Sequence, residues 1–324
     1  MGDEPLRALD VLLGLAVLAG AVAAVTPRRR MSATVSFLVL GVLLVVLWTR
    51  LGAPDVALAE AAIGTGVTGA LFVDTVTRGR GAPDGDRPVS RRPVATAVLG
   101  VTAGVLLGAG LAVALVRAVR SGRTGLTEQV LGRTGESGVD HPVTAVLLNF
   151  RSYDTLLEIA VLFVAVLAVA VTLGSGSGRP VAAARRTRPV AAAGRPETLV
   201  WFCRVISPAL LLIAAWVLFA GSDRPGGAFQ AGAVLAGALI LMDTAGLGPS
   251  PRHGGLLRAA LVAGLLVFLA VAAWGPATGG AWLALDPAWA GWAIVAVETT
   301  LALSIGTALT VLFLALGRER VDPP

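Results

Sequence analysis

Lysine is absent from this 324-residue chain: all 26 basic residues are arginine, set against 20 acidic ones. A single cysteine, Cys203, excludes an internal disulfide and a thiolate cluster. The two histidines, His141 and His253, lie far apart without a second ligand near either, so no metal centre is expected. There is no G-x-x-x-x-G-K-[ST] loop to hold phosphates and no G-x-S-x-G nucleophile elbow. The sequence therefore offers no catalytic centre and calls for no cofactor, and the protein is not expected to be an enzyme. Charge is also scarce, at 14% of residues, where soluble chains carry about 25%. Strict alternation of apolar and polar residues is missing from its apolar runs, which excludes a membrane barrel.

What fills the chain is hydrophobic surface: 56% of residues, with a mean hydropathy of +0.81. Soluble domains are nearer 45–50% apolar, and a membrane-crossing helix takes about 20 apolar residues, so the pool furnishes roughly nine spans. A disordered chain, a collagen, a disulfide-rich secreted domain and a soluble nucleic-acid binder are all excluded. The pI of 11.1 belongs to basic loops rather than to nucleic-acid recognition.

Nine apolar segments stand out, at about 6–25, 31–49, 54–77, 94–116, 152–173, 200–220, 226–245, 256–275 and 290–316. The fold class is thus an all-α, polytopic integral membrane protein of about nine transmembrane helices. Arginines set its orientation. Seventeen fall in the loops after the odd-numbered spans and seven on the opposite side. The positive-inside rule makes the richer side cytoplasmic, which places the N-terminus outside and the C-terminus inside. A Gly/Ser- then Pro/Ala/Arg-rich stretch, 174–199, reads as a flexible linker dividing five spans from four. A second polar stretch, 78–93, divides three from two, so the chain parses as 3 + 2 + 4.

Acids inside spans need an explanation, since one at the centre of a span costs about 2.5–3.5 kcal/mol on insertion scales. In span three, Pro54 suits the first helical position and Asp55 the first turn, where the helix dipole favours an anion. Glu60 lies about 8 Å deeper on the same helix. Gly64, Thr68 and Thr75 follow near one face, running down to Asp74. Glu60 is either part of an ion pathway or paired with an arginine of a neighbour. The run from Pro142 to Leu173 is about 48 Å long as one helix, too much for a hydrocarbon core of about 30 Å. Its Asn-Phe-Arg-Ser-Tyr-Asp centre should separate a short re-entrant or interfacial helix near 142–150 from the true span. Asp154 and Glu158 then share a face, either as an ion relay or with Asp154 in a structural pair with Arg151. Pro225, Gly226 and Gly227 predict a tight hairpin, with Gln230 one turn inside it. Glu298 is the remaining intramembrane acid. Gly100, Gly104 and Gly108 suit helix packing, His253 suits a solvated loop, and the tryptophans between Trp274 and Trp292 suit an interfacial belt.

These runs carry a family resemblance. LGAPDVALAEAAIGTGVTGALF (51–72) resembles the MbhD-type module, and HPVTAVLLNFRSYDTLLEIAVLFVAVLAV (141–169) resembles the MbhE-type module. RVISPALLLIAAWVLFAGSDRPGGAFQAG (204–232), with 290–316, is similar to the MnhB subunit of Mrp/Mnh multisubunit sodium/proton antiporters. The modules fall at 1–78 (MbhD-like, three helices), 94–173 (MbhE-like, two helices) and 200–318 (MnhB-like, four helices), with the 174–199 linker between the last two. The resemblance implies an accessory subunit that contributes carboxylates to a transmembrane path for Na+ and H+. Other membrane subunits, among them the proton-pumping ones, would be its partners, in the cell membrane of a prokaryote and with no nucleic acid involved. The alternative is a structural scaffold of a hydrogenase-like or other respiratory complex. By resemblance Asp55 and Glu60 match the first module's acids, and Asp154 and Glu158 those of the second. The chain departs from the family at Ser152 and Leu157, where glycines are usual, at Ser222, where a histidine is usual, and at Ala228, where a glycine is usual.

Overall fold

The structure is a computed structural model that describes residues 4–27, 29–79, 94–121, 125–177, 197–247 and 254–316. It is all-helical, with no strand among the described residues. Eight of its helices are long and apolar enough to cross a membrane; the ninth predicted span is the shorter apolar helix Ala228–Thr244. The chain is a multi-pass membrane protein.

Helices α1 (Glu4–Val25) and α2 (Arg30–Arg50) form a hairpin closed by an ion pair of 2.6 Å between Arg50 and Asp10. Helix α3 starts at Pro54 with Asp55 in its first turn, as the sequence predicts. It runs as Pro54–Ala59, turns π-helical over Glu60–Val67, and continues as Thr68–Gly79. The Thr68 hydroxyl donates to the Ile63 carbonyl five residues back, at 3.0 Å, within this wider turn. Small residues let α2 and α3 approach. A Cβ at Gly41 would meet the Thr65 side chain, and one at Gly69 would meet Leu38.

Helix α4 (Val94–Arg120) is exposed along its described side chains, and Gly100, Gly104 and Gly108 face no neighbour among the described residues. The predicted packing stripe therefore has nothing of this chain against it among those residues. A short helix, α5 (Thr127–Arg133), and a 3-10 turn, Thr134–Glu136, lead to α6, made of Pro142–Ala145 and the π-helical Val146–Phe150. The predicted break falls at Arg151, whose backbone (φ −134°, ψ 35°) leaves helical geometry. Helix α7 (Ser152–Ser177) follows. The break is held by polar side chains: the Thr155 hydroxyl donates to Leu147 O at 2.6 Å, and Asn149 donates to Ser137 O at 2.9 Å.

Helices α8 (Glu197–Ala220), α9 (Ala228–Thr244), α10 (Gly254–Ala277) and α11 (Pro287–Leu316) make the main bundle. The core runs along α11, where Ile294, Leu301 and Ile305 are fully buried. α9 packs against both α8 and α11. It is short because the α8–α9 turn is sunk into the bundle: Gly227, at its start, lies against Glu298, eleven residues or about 17 Å along α11. Trp274 and Trp289, flanking the α10–α11 loop, meet edge-to-face with ring centroids 6.4 Å apart.

The start of α3, the approach to α6 and the α8–α9 turn all meet at one end of the bundle. Asp140 and His141 donate their backbone N–H groups to the Ser222 carbonyl at 2.9 and 3.0 Å. Gly138 packs on Ala290 and Gly291 at the start of α11. Helices that cross alternately must bring these loops to the same side, and the order of the apolar segments along the sequence agrees.

Candidate functional site

At that end, Asp55 is the point where three separately encoded segments touch. Pro54 starts α3 with a fixed φ and no N–H to lose, which sets Asp55 in the first turn. The carboxylate faces His141, whose Nε2 lies 3.1 and 3.0 Å from its two oxygens. The Gly226 N–H donates to Asp55 Oδ1 at 3.3 Å, and the Gln230 amide donates to the Asp55 backbone carbonyl at 3.3 Å. Both side chains are nearly enclosed, at 11% and 13% exposure for His141 and Asp55. Pro142 at the first position of α6 places His141 just outside that helix in extended backbone (φ −82°, ψ 119°), turned toward α3.

The hairpin glycines open a second acidic position below. Gly227 has φ +112° and ψ −170°, a backbone that only glycine adopts readily. A Cβ there would sit 2.8 Å from Glu298 Oε1, and one at Gly221 would sit 3.2 Å from it. Glu298 is 4% exposed and faces the backbone N–H of Ala228, in the first turn of α9. A helix N-terminus suits an anion, and this one is buried. The Gln230 amide oxygen also borders the space over Gly227. Glu298, Gln230 and Asp55 thus lie around one turn, reached from α11, α9 and α3. On the turn's outer side Asp223 pairs with Arg224 at 2.6 Å. That guanidinium beside it holds the Asp223 carboxyl below the usual carboxylate range.

Glu60 stands farther along α3, half-buried in the π segment, which packs against α9. Its carboxylate folds over Gly64, where a Cβ would collide with it, and Thr65 Oγ1 lies 3.5 Å from Oε1. Single π turns inside α-helices often mark functional positions. The other two acids are elsewhere. Asp154 forms an ion pair with Arg151 at 2.7 Å, the structural pairing among the two readings, and both are well exposed. Glu158 is exposed one turn further along α7.

The structure therefore gathers Asp55, Glu298 and the Pro225–Gly226–Gly227 hairpin, keeps Glu60 nearby on the same helix, and leaves Asp154 and Glu158 on another surface. Two members of the site escape sequence reasoning. His141 has no ligand near it in sequence, and Gln230 reads as part of a structural turn. The available signal for His141 is its place directly before Pro142 at a helix start, in a chain with only two histidines. The family's histidine position, here Ser222, contributes its backbone carbonyl to the loop contact, and the turn stands with serine in place. His253 lies outside the described residues. No group of three or more His, Cys, Asp or Glu suited to a metal ion occurs among the described residues.

Family comparison finds two matched stretches. Residues 15–80 match the MbhD family, described as the D subunit of MBH, and residues 198–317 match the domain related to the MnhB subunit of Na+/H+ antiporter. No curated protein matches the chain. Among solved structures, a chain in the structure of the Mrp complex from Dietzia sp. DQ12-45-1b shares its fold, with a TM-score of 0.72 at 22% sequence identity. The likeness covers 97% of this chain and 35% of that one, so this chain spans about a third of its relative's length.

Proposed function

We propose that the chain, which matches MbhD over 15–80 and the MnhB-related domain over 198–317, is a fusion of Mrp/Mnh-type modules that serves as an accessory subunit of a multisubunit cation/proton antiporter. In this reading its carboxylates line part of a path for Na+ or H+. The 94–173 segment is the MbhE-like module between the other two. Other membrane subunits, including the proton-pumping ones, are its partners, in a prokaryotic cell membrane, with the N-terminus and the Asp55 end outside and the C-terminus inside.

One observation carries the path: a carboxylate and an imidazole from different modules, Asp55 and His141, meet at Gly226 of a turn whose next residue, Gly227, borders a buried carboxylate, Glu298. Groups that exchange protons or hold a cation need such spacing, short and screened from water. The Gln230 amide donates to the Asp55 backbone carbonyl, and Glu60 continues the acidic series along α3. Asp154 and Glu158 belong to such a path only with a partner covering them.

The isosteric change Glu298→Gln tests it. The amide keeps an acceptor for the Ala228 N–H but never ionises. Sodium- or pH-gradient exchange, measured in vesicles holding the assembled complex, should fall at least about tenfold, equivalent to about 1.4 kcal/mol in a barrier. Assembly should be unchanged. Full exchange in Glu298→Gln would end the path reading and leave a scaffold. That second reading has its own support, since Asp55 is fully engaged in joining segments and Asp154 is engaged by Arg151.

Gly64→Ala probes Glu60 without touching its charge. The new Cβ claims the space of the Glu60 carboxylate, a flexible side-chain end that can swing away. Stability should stay within about 1 kcal/mol of the parent, since alanine is the better helix former. Exchange should fall as far as in Glu60→Gln. A Gly64→Ala complex with parental exchange would remove Glu60 from the path.

A further inference from the structure

We infer that the exposed face of α7 is a docking surface for a transmembrane helix of another subunit, one that presents a lysine or arginine at the depth of Glu158. One side of α7 is already used: Leu156, Ile159 and Val166 are buried there, and the helix packs against α10 and α11. The other side carries Leu157, Val161, Val164 and Val171, all exposed, which suits either lipid or protein. Glu158 decides between them. It lies six residues into the span, about 9 Å along the helix axis, and is exposed among those apolar side chains. A carboxylate side chain is too short to reach the headgroups as lysine and arginine do, so intramembrane acids face protein or a water-filled cavity.

The charges already on that face do not answer it. Arg151 is engaged by Asp154 at 2.7 Å, so the two neutralise each other. Asp154, one turn before Glu158 on α7, has the same sign of charge and offers it no compensation. Among the described residues, the face therefore carries one negative charge without an opposite partner within an apolar stripe. A cationic side chain on the incoming helix complements it. A second copy of this chain does not, because a two-fold pairing of α7 with α7 would set Glu158 against Glu158. This inference rests on the reading of the chain as one subunit of a larger assembly, but not on any ion path through it.

The test uses the whole complex, purified from its native membranes through a tag on this chain, with a photo-crosslinking amino acid at Val161. The expected result is one protein adduct. Its crosslinked peptide should map to a transmembrane helix bearing Lys or Arg within one turn. Glu158→Leu should reduce both the adduct and co-purification of that subunit at least about tenfold, or about 1.4 kcal/mol in affinity. Glu158→Arg combined with the reciprocal change to glutamate in the partner should restore them. Leucine on an apolar helix face does not threaten folding, and an unchanged helical circular dichroism spectrum will verify that. Adducts with lipid alone, adducts with a second copy of this chain, or an adduct indifferent to Glu158→Leu would each overturn the inference. Transport is not part of the readout, so loss of the ion-path reading leaves this result interpretable.

Discussion

Asp55→Ala is expected to destabilise the folded chain by about 1–3 kcal/mol for each buried group it orphans, and it orphans two. The Gly226 N–H loses its acceptor at 3.3 Å, and His141 loses both oxygens at 3.0–3.1 Å. Water compensates poorly, since His141 and Asp55 are only 11% and 13% exposed. The loss should register as a lower unfolding midpoint of the detergent-solubilised protein and as faster hydrogen exchange at Gly226. Asp55→Asn separates architecture from charge. The amide still accepts from Gly226 and still meets the imidazole, so its unfolding midpoint should lie close to the parent's. In the assembled complex, however, Asp55→Asn should lose exchange much as Glu298→Gln does. An Asp55→Ala protein as stable as the parent would show that the three segments are held together by something else.

Local features of this fold are legible from residues alone. Pro54 and Asp55 announce a helix start because one lacks an N–H and the other suits the dipole. The break at Arg151 follows from arithmetic, since a helix of 32 residues outruns the membrane. The Arg151–Asp154 pair joins i, i+3 neighbours, one of the two arrangements that spacing allows. The site itself is a matter of distant partners. His141 lies 86 positions from Asp55, and Gly226 lies 171 from it. Periodicity and spacing describe a helix's faces, not which helix will stand opposite. Hydropathy also undervalues Glu298, because a window average registers a charge but not the buried helix N-terminus facing it. It overstates α9 as a full span for the same reason: the glycines that predict a turn do not say how deep in the bundle it sits.

Two glycines of the same segment, Gly227 and Gly237, should respond to the same substitution with opposite signs. Gly227 holds φ +112° and ψ −170°, a region closed to side-chain-bearing residues. Gly227→Ala should cost about 1–3 kcal/mol from backbone strain alone. Its Cβ would also stand 2.8 Å from Glu298 Oε1, which forces the carboxylate off the Ala228 N–H or the turn out of the bundle. Gly237 is an ordinary helical residue in α9, with nothing among the described residues within 4 Å of an added methyl. Gly237→Ala should therefore stabilise by about 0.5–1 kcal/mol through helix propensity. Unfolding midpoints of the two variants, measured side by side, give the comparison. Exchange activity adds a second axis. Gly227→Ala should lose it by displacing Glu298 even where enough protein folds to assemble, while Gly237→Ala should keep it. If both substitutions lower stability alike, tight packing of α9 in the bundle explains the glycines, and the turn was not shaped to admit a carboxylate. If only Gly227→Ala does, the hairpin's backbone and the buried acid of α11 are one structural unit, and the glycine exists to make room for the charge.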